Sequence, residues 1–216
     1  MQDLILFGMQ GSGKGTQGQL LAKQYELQIF ETGGQLRKLA AEDSELGRKI
    51  KEITTAGKLV PNEVVMEIVE NFLKQLPSDK HAIFDGIPRS EEQRVSLEAE
   101  FKKVGRKPIA VYIKLEEDEA LKRLLGRKIC SKCKTVYGVK DNLAEGAVCL
   151  KCGGELTVRA DDTEEAIRTR LKLYAEQTVP AIRQYEKEGR LIEVDGEQEV
   201  ELVTSDITEA LRKYEV

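Results

Sequence analysis

Leu4-Ile5-Leu6-Phe7-Gly8-Met9-Gln10-Gly11-Ser12-Gly13-Lys14-Gly15-Thr16 is the stretch on which the fold of this chain turns. Four apolar residues make a buried strand, and a glycine-rich loop then leads into a helix that opens near Lys14. Gly8, Gly11 and Gly13 have access to backbone conformations closed to residues with a Cβ, so several N–H groups can turn inward on one anion. The start of the helix adds unpaired N–H groups and a positive dipole end. The Lys14 ammonium reaches outer phosphates, and the Thr16 hydroxyl can meet Mg²⁺. Gly8, Gly13 and Lys14 satisfy G-x-x-x-x-G-K, but Gly15 takes the usual Ser/Thr place and Thr16 follows one residue later. A glycine-rich turn with a surface lysine would not require strand, loop and helix signals to coincide.

Working outward, strand-like runs recur at Leu4 to Phe7, Gln28 to Phe30, Ala82 to Phe84, Ile109 to Lys114 and Leu191 to Val194. Helical patterns fill the intervals at Lys14 to Gln24, Leu36 to Ala41, Ser44 to Ala56, Asn62 to Gln75, Ser90 to Lys103, Glu117 to Leu125, Glu164 to Glu188 and Glu199 to Lys213. This alternation predicts an α/β fold: a five-stranded parallel sheet with right-handed crossovers and helices on both faces. Two segments break the rhythm, a helical one at about 31–60 and a cysteine-bearing one at about 127–159. Both read as inserts in a single core made of 1–30, 61–126 and 160–216.

With 216 residues, 40% of them hydrophobic and 33% charged, the chain can bury a substantial core. A net charge of −4 argues against a general nucleic-acid surface. The first strand begins too early for a signal segment, and no run approaches the roughly 20 apolar residues of a membrane span. The expectation is a cytoplasmic, monomeric protein without nucleic-acid or membrane partners. The only histidine, His81, precedes a strand and reads as a loop or strand-edge residue.

Cys130-x-x-Cys133 and Cys149-x-x-Cys152 are separated by fifteen residues. Four thiolates in two close pairs suit a tetrahedral metal, zinc first, with iron or cobalt as other occupants of the same ligands. Residues 128–158 carry five Lys and three acidic residues, and Zn²⁺ on four thiolates adds −2, which brings the segment close to neutrality. That weakens phosphate-backbone binding as its task. A small insert that cannot build a core is better explained as stapled by metal.

Arg37, Arg89, Arg123, Arg127, Arg159 and Arg170 flank the two inserts, and guanidinium groups suit phosphoryl oxygens and the charge that develops in phosphoryl transfer. Arg123 and Arg127, four apart, are expected on one helix face. At this point the chain resembles the adenylate kinase family, in the long form with a zinc ribbon in its lid. The resemblance rests on Gly11-Ser12-Gly13-Lys14-Gly15-Thr16, Thr32-Gly33 with Leu36-Arg37, Gly57-Lys58-Leu59-Val60, Asp85-Gly86-Ile87-Pro88-Arg89, Gln93, the Arg123 to Arg127 helix end, the four cysteines, Arg159-Ala160-Asp161-Asp162 and Arg170.

The resemblance implies a P-loop NTPase-like core, an AMP-binding insert, a lid, and the reaction ATP + AMP ⇌ 2 ADP with Mg²⁺. Gly11, Ser12, Gly13, Lys14, Gly15 and Thr16 would hold ATP phosphates, with Arg123, Arg127, Val136, Tyr137 and Gln198 also on ATP. Thr32, Arg37, Lys58, Leu59, Val60, Gly86, Ile87, Pro88, Arg89 and Gln93 would hold AMP, joined by Arg159 and Arg170. Lys14, Arg89, Arg127, Arg159, Arg170 and Asp85 would serve catalysis, Asp85 by orienting Mg²⁺-bound water. The Gln93 amide, with donor and acceptor, could read the adenine N1 and N6 edge, while Ser90-x-x-Gln93 also fits a helix capping box.

The chain departs from the family pattern at Gln10, Glu31, Gly34 and Ile87. Gly34 stands where an acidic residue supports Mg²⁺; either Glu31, three residues earlier, partly replaces that carboxylate, or Gly34 is a glycine tolerated at a helix start and Glu31 is solvated. Two other readings remain at this stage: a kinase for a different nucleoside monophosphate, and a weakened P-loop protein that binds nucleotide without turnover.

Overall fold

The computed structural model describes residues 2–214. Five parallel strands, β1 (Leu4–Phe7), β2 (Gln28–Glu31), β3 (Ala82–Asp85), β4 (Ile109–Lys114) and β8 (Leu191–Asp195), form one sheet in the order β2-β3-β1-β4-β8. Leu4, Ile5, Leu6 and Phe7 are all buried because β1 is central and covered on both faces. Leu4 and Leu6 join Leu21 of α1 (Lys14–Tyr25) and Val203, Ile207 and Leu211 of α9 (Val200–Leu211). Ile5 and Phe7 face the other way, into a cluster with Phe30, Phe84, Val69 of α4 (Asn62–Gln75), Phe101 of α5 (Glu91–Lys103) and Tyr185 of α8 (Val179–Lys187). The strand period of two thus assigns alternate residues to the two helical layers.

Between β2 and α4 run α2 (Thr32–Ala40) and α3 (Glu45–Thr55), the latter capped by Ser44 Oγ, which accepts from Gly47 N–H at 2.9 Å. Between α6 (Glu117–Gly126) and α7 (Glu164–Leu173) lies a small antiparallel sheet of β5 (Lys128–Cys130), β6 (Val136–Tyr137) and β7 (Leu156–Thr157), in the order β6-β5-β7. Among the described residues no helix is long and apolar enough to cross a membrane. His81 precedes β3, with Nδ1 3.8 Å from Asp3 Oδ1.

Three expectations are corrected. The helix expected from Leu36 begins at Thr32, because Gly33 and Gly34 occupy its first turn instead of a loop. The helix expected to run unbroken from Glu164 to Glu188 is interrupted by a π-helical segment, Tyr174–Thr178. Pro180 supplies the reason: it has no N–H for the i−4 carbonyl, and its ring crowds that carbonyl, so the ladder widens just before it. Lastly, α6 ends at Gly126 and Arg127 is extended (φ −67°, ψ 135°), so Arg123 and Arg127 do not share a helix face. A Cβ on Gly126 would stand 2.4 Å from Val139 Cγ2, so the missing side chain is what admits this contact from the cysteine segment.

Candidate active site

The C-terminal ends of β1, β2 and β3 open onto one cleft, the usual location for a ligand in a parallel α/β sheet. After Phe7 the chain turns at Gly8, where φ is +151° and a Cβ would meet Ser12 Oγ at 2.4 Å and Ile113 O at 2.6 Å. Only glycine fits there. Gly13, in the left-handed region at φ 92°, delivers the chain into α1. Lys14 folds over the loop and donates to Gly8 O at 2.5 Å and Met9 O at 3.0 Å. Burial brings its pKa down to about 8, Asp85 pulling the other way. Ser12 Oγ is buried with no hydrogen-bond partner among the described residues.

Asp85 ends β3 and is in register with Glu31 at the end of β2. Burial raises the Asp85 pKa, Lys14 opposes the rise and Glu31 adds to it. Arg89 sits close by: Nε donates to Gly86 O at 3.0 Å, and a Cβ on Gly86 (φ +83°) would lie 3.2 Å from Arg89 Nη2. Burial lowers the Arg89 pKa, which also responds to Asp85, Arg170, Arg37 and Arg159, so these five side chains share one field.

The remaining arginines are each held by a carboxylate. Arg127 makes a bidentate pair with Asp162 at 2.8 and 2.7 Å, and Arg170 Nη2 donates to Asp162 Oδ1 at 2.9 Å. Asp161 takes Arg159 Nε at 2.8 Å and Arg170 Nη1 at 3.4 Å. Arg37 Nη2 donates to Glu31 Oε1 at 2.7 Å. Arg170 also packs on Gly57, where φ is +72° and a Cβ would strike Ala166 O at 2.6 Å, so α7 and the start of Gly57-Lys58-Leu59-Val60 approach closely. The sequence reading quoted Asp161 and Asp162 without giving them a role. Their places two and three residues after Arg159 were the available signal.

Leu59, Val60 and Gln93 line one cavity of about 450 Å³. The Val60 and Ile87 side chains are buried in the main core, which leaves their backbone for the cleft. Thr32 Oγ1 is buried and unpartnered among the described residues. Gln93 differs from expectation: its Oε1 accepts Arg89 N–H at 2.8 Å, while Ser90 Oγ caps α5 by accepting Gln93 N–H at 3.2 Å. One lone pair of the amide oxygen is thus engaged by Arg89. Arg123 braces the loop, donating to Gly196 O at 3.0 Å and to Glu119 Oε1 at 2.9 Å. Gln198 Nε2 turns to Asp206 Oδ2 at 3.0 Å, and Val136 is exposed. The Tyr137 side chain lies on the cysteine cluster, with its hydroxyl 3.2 Å from Cys149 Sγ.

The four thiols are free, and their sulfurs all lie within 4.8 Å of one another. Cys130 and Cys152 stand 3.5 Å apart, Cys133 and Cys149 3.6 Å. Sulfurs on a tetrahedron about 2.3 Å from a central ion would be spaced at roughly 3.8 Å, so the donor set fits a thiolate-bound metal. Hydrogen bonding by Thr135 lowers the Cys133 pKa to about 6, while that of Cys152, despite a lowering backbone hydrogen bond from Gly154, is raised by the neighbouring sulfurs to about 11, so without a metal the four thiols do not ionise together.

Comparison with known proteins agrees with this geometry. A family model described as adenylate kinase matches residues 6–190. The chain is 39% identical over 213 residues to an adenylate kinase of Archaeoglobus fulgidus, covering 98% of each chain. It is also 39% identical over 213 residues to one of Desulforamulus reducens, covering 97% of this chain and 100% of the relative. An adenylate kinase of Pseudothermotoga lettingae is 34% identical over 212 residues, with 97% and 98% covered. The chain belongs to the adenylate kinase family.

Proposed function

We propose that this protein catalyses reversible transfer of the ATP γ-phosphoryl group to AMP, giving two ADP, at the cleft between the β1 loop and the Asp85–Arg89 turn. One observation carries the residue roles: Lys14, Arg37 and Arg89 lie close enough to Asp85 to bias its ionisation, and Arg37, Arg159 and Arg170 act in the same way on Arg89. Backbone N–H groups of Gly11 to Thr16 cradle the ATP phosphates, and Lys14 exchanges its two carbonyl partners for phosphate oxygens. Arg37 and Arg89 hold the AMP phosphate in line. Arg127, Arg159 and Arg170 neutralise charge on the group in transit, and Asp162 and Asp161 fix their orientation beforehand. Mg²⁺, with Asp85 and the Thr16 hydroxyl as its protein-side supports, supplies further neutralisation of phosphate charge.

The AMP phosphate is itself the nucleophile, so the protein's task is positioning and exclusion of water. Closure of the two segments that leave the sheet achieves exclusion, and their reopening sets a limit on turnover. Zn²⁺ at Cys130, Cys133, Cys149 and Cys152 is structural, because four thiolates leave no open position for substrate. Thiols paired for a metal rather than for disulfides accord with a reducing, cytoplasmic compartment.

The test is ADP formation from ATP with AMP, CMP, UMP or GMP at saturating Mg²⁺, for wild type and Lys14→Ala. AMP is expected to be strongly preferred, and Lys14→Ala to lose about 10²-fold or more in rate while remaining folded. Nucleotide binding without ADP formation would favour a binding module, and preference for another monophosphate would reassign the acceptor.

A further inference from the structure

The π-helical segment Tyr174–Thr178 has a consequence at the other side of the cleft. Its last residue, Thr178, is buried, and its hydroxyl donates to the main-chain carbonyl of Arg89 at 2.9 Å. Among the described residues the other hydrogen bonds of Arg89 are local, through Gln93 Oε1 on its N–H and Gly86 O on its Nε. Thr178 is therefore the restraint that reaches Arg89 from a distant part of the chain. Pro180 explains how it gets there, since the interrupted ladder resets the phase of the helix just where Thr178 meets the turn. The same helical rod carries Arg170 eight residues earlier, held by Asp161 and Asp162.

We propose that Thr178 is a positioning residue for the acceptor phosphate: by holding the Arg89 carbonyl it fixes the origin from which the guanidinium reaches AMP. This rests on the reading of Arg89 as an AMP phosphate ligand. A threonine that merely satisfied a buried carbonyl would alter stability and leave substrate affinities in proportion. A threonine that aims Arg89 alters the affinity for AMP selectively. The distinction is measurable because valine keeps the shape of threonine and lacks the donor, whereas serine keeps the donor.

The experiment is steady-state kinetics with AMP and ATP varied separately, alongside thermal melting, for wild type, Thr178→Val, Thr178→Ser and Arg89→Ala. An orphaned carbonyl together with a freed arginine is expected to raise KM for AMP about 5- to 20-fold in Thr178→Val, with KM for ATP within about 2-fold of wild type. Thr178→Ser is expected to return KM for AMP to within about 3-fold of wild type. Should Thr178→Val not fold, Thr178→Ala against Thr178→Ser gives the same comparison without added bulk. Equal shifts in both KM values, a change in melting temperature alone, or a serine variant as defective as valine would overturn the proposal. An Arg89→Ala variant with unchanged KM for AMP would instead remove the reading beneath it.

Discussion

The two segments that leave the sheet are ordered by different means. In residues 32–60, Leu36, Ile50 and Val60 belong to the cluster that contains Phe30 and Phe84 of the sheet. In residues 127–159, the buried cluster is separate and consists of Cys130, Tyr137, Cys149 and Leu156, two thiols among four residues. The first segment borrows the main core, so its order rises and falls with the whole protein. The second buries little apolar surface of its own, and the proposed metal on its four sulfurs would carry its order. The two segments can thus respond to different conditions.

Removing the proposed metal should break this symmetry most strongly. A structural thiolate site contributes on the order of 10 kcal/mol to the order of a small unit. Chelation, or Cys149→Ser, is expected to make residues 127–159 sensitive to protease and to lower the melting temperature, while the sheet still unfolds cooperatively. Metal analysis should give about one ion per chain before treatment. Protein with no bound ion and two disulfides would end this account of the segment. The complementary change is Ile50→Ala, where a side chain 1% exposed is truncated within the shared core. A loss of about 2–4 kcal/mol is expected in a single denaturant transition, with metal content unchanged. A second, earlier transition confined to the helical segment would show that it does not share the core's fate.

The same contrast explains what could be read from the chain. Strands such as Leu4–Phe7 and Ile109–Lys114 were legible because burial on both faces leaves a continuous apolar run with sharp ends, and the loop after Phe7 because its glycines, Lys14 and helix start are consecutive. The cysteine pairs were legible because metal spacing is local in sequence. What escaped is relational. Gly33 and Gly34 read as loop residues, yet they sit in a helix whose first turn is crowded by side chains: a Cβ on Gly33 would stand 3.0 Å from Arg37 Nη1. Pro180 was the visible cause of the break in the long helix, but the partner of Thr178 lies 89 residues away. The amide oxygen of Gln93 has a partner that the sequence did not announce, the N–H of Arg89 four residues earlier.

The contrast extends to how the arginines of each segment are paired, and here the smallest effect is expected. On the cysteine side, Asp162 is fully buried between Arg127 and Arg170. On the helical side, Arg37 pairs with Glu31 and both side chains are about half exposed, at 48% and 53%. Glu31 Oε2 meanwhile lies 3.0 Å from where a Cβ on Gly34 would stand, so glycine there makes room for the carboxylate. The sequence offered Glu31 as a partial support for Mg²⁺; the ion pair offers another reading, in which, if Arg37 holds the acceptor phosphate as proposed, AMP would displace the carboxylate. An exposed pair of this kind contributes about 0–1 kcal/mol, so Glu31→Gln is expected to lower KM for AMP by at most about 5-fold. A Mg²⁺ titration of initial rate should superimpose on that of wild type. A higher Mg²⁺ requirement in Glu31→Gln, restored by adding Gly34→Asp, would return the carboxylate to the metal and sink the competition with AMP. Unchanged KM for AMP in a folded variant would mean that Arg37 leaves Glu31 without measurable cost, and the two arginine pairings would then differ in burial alone.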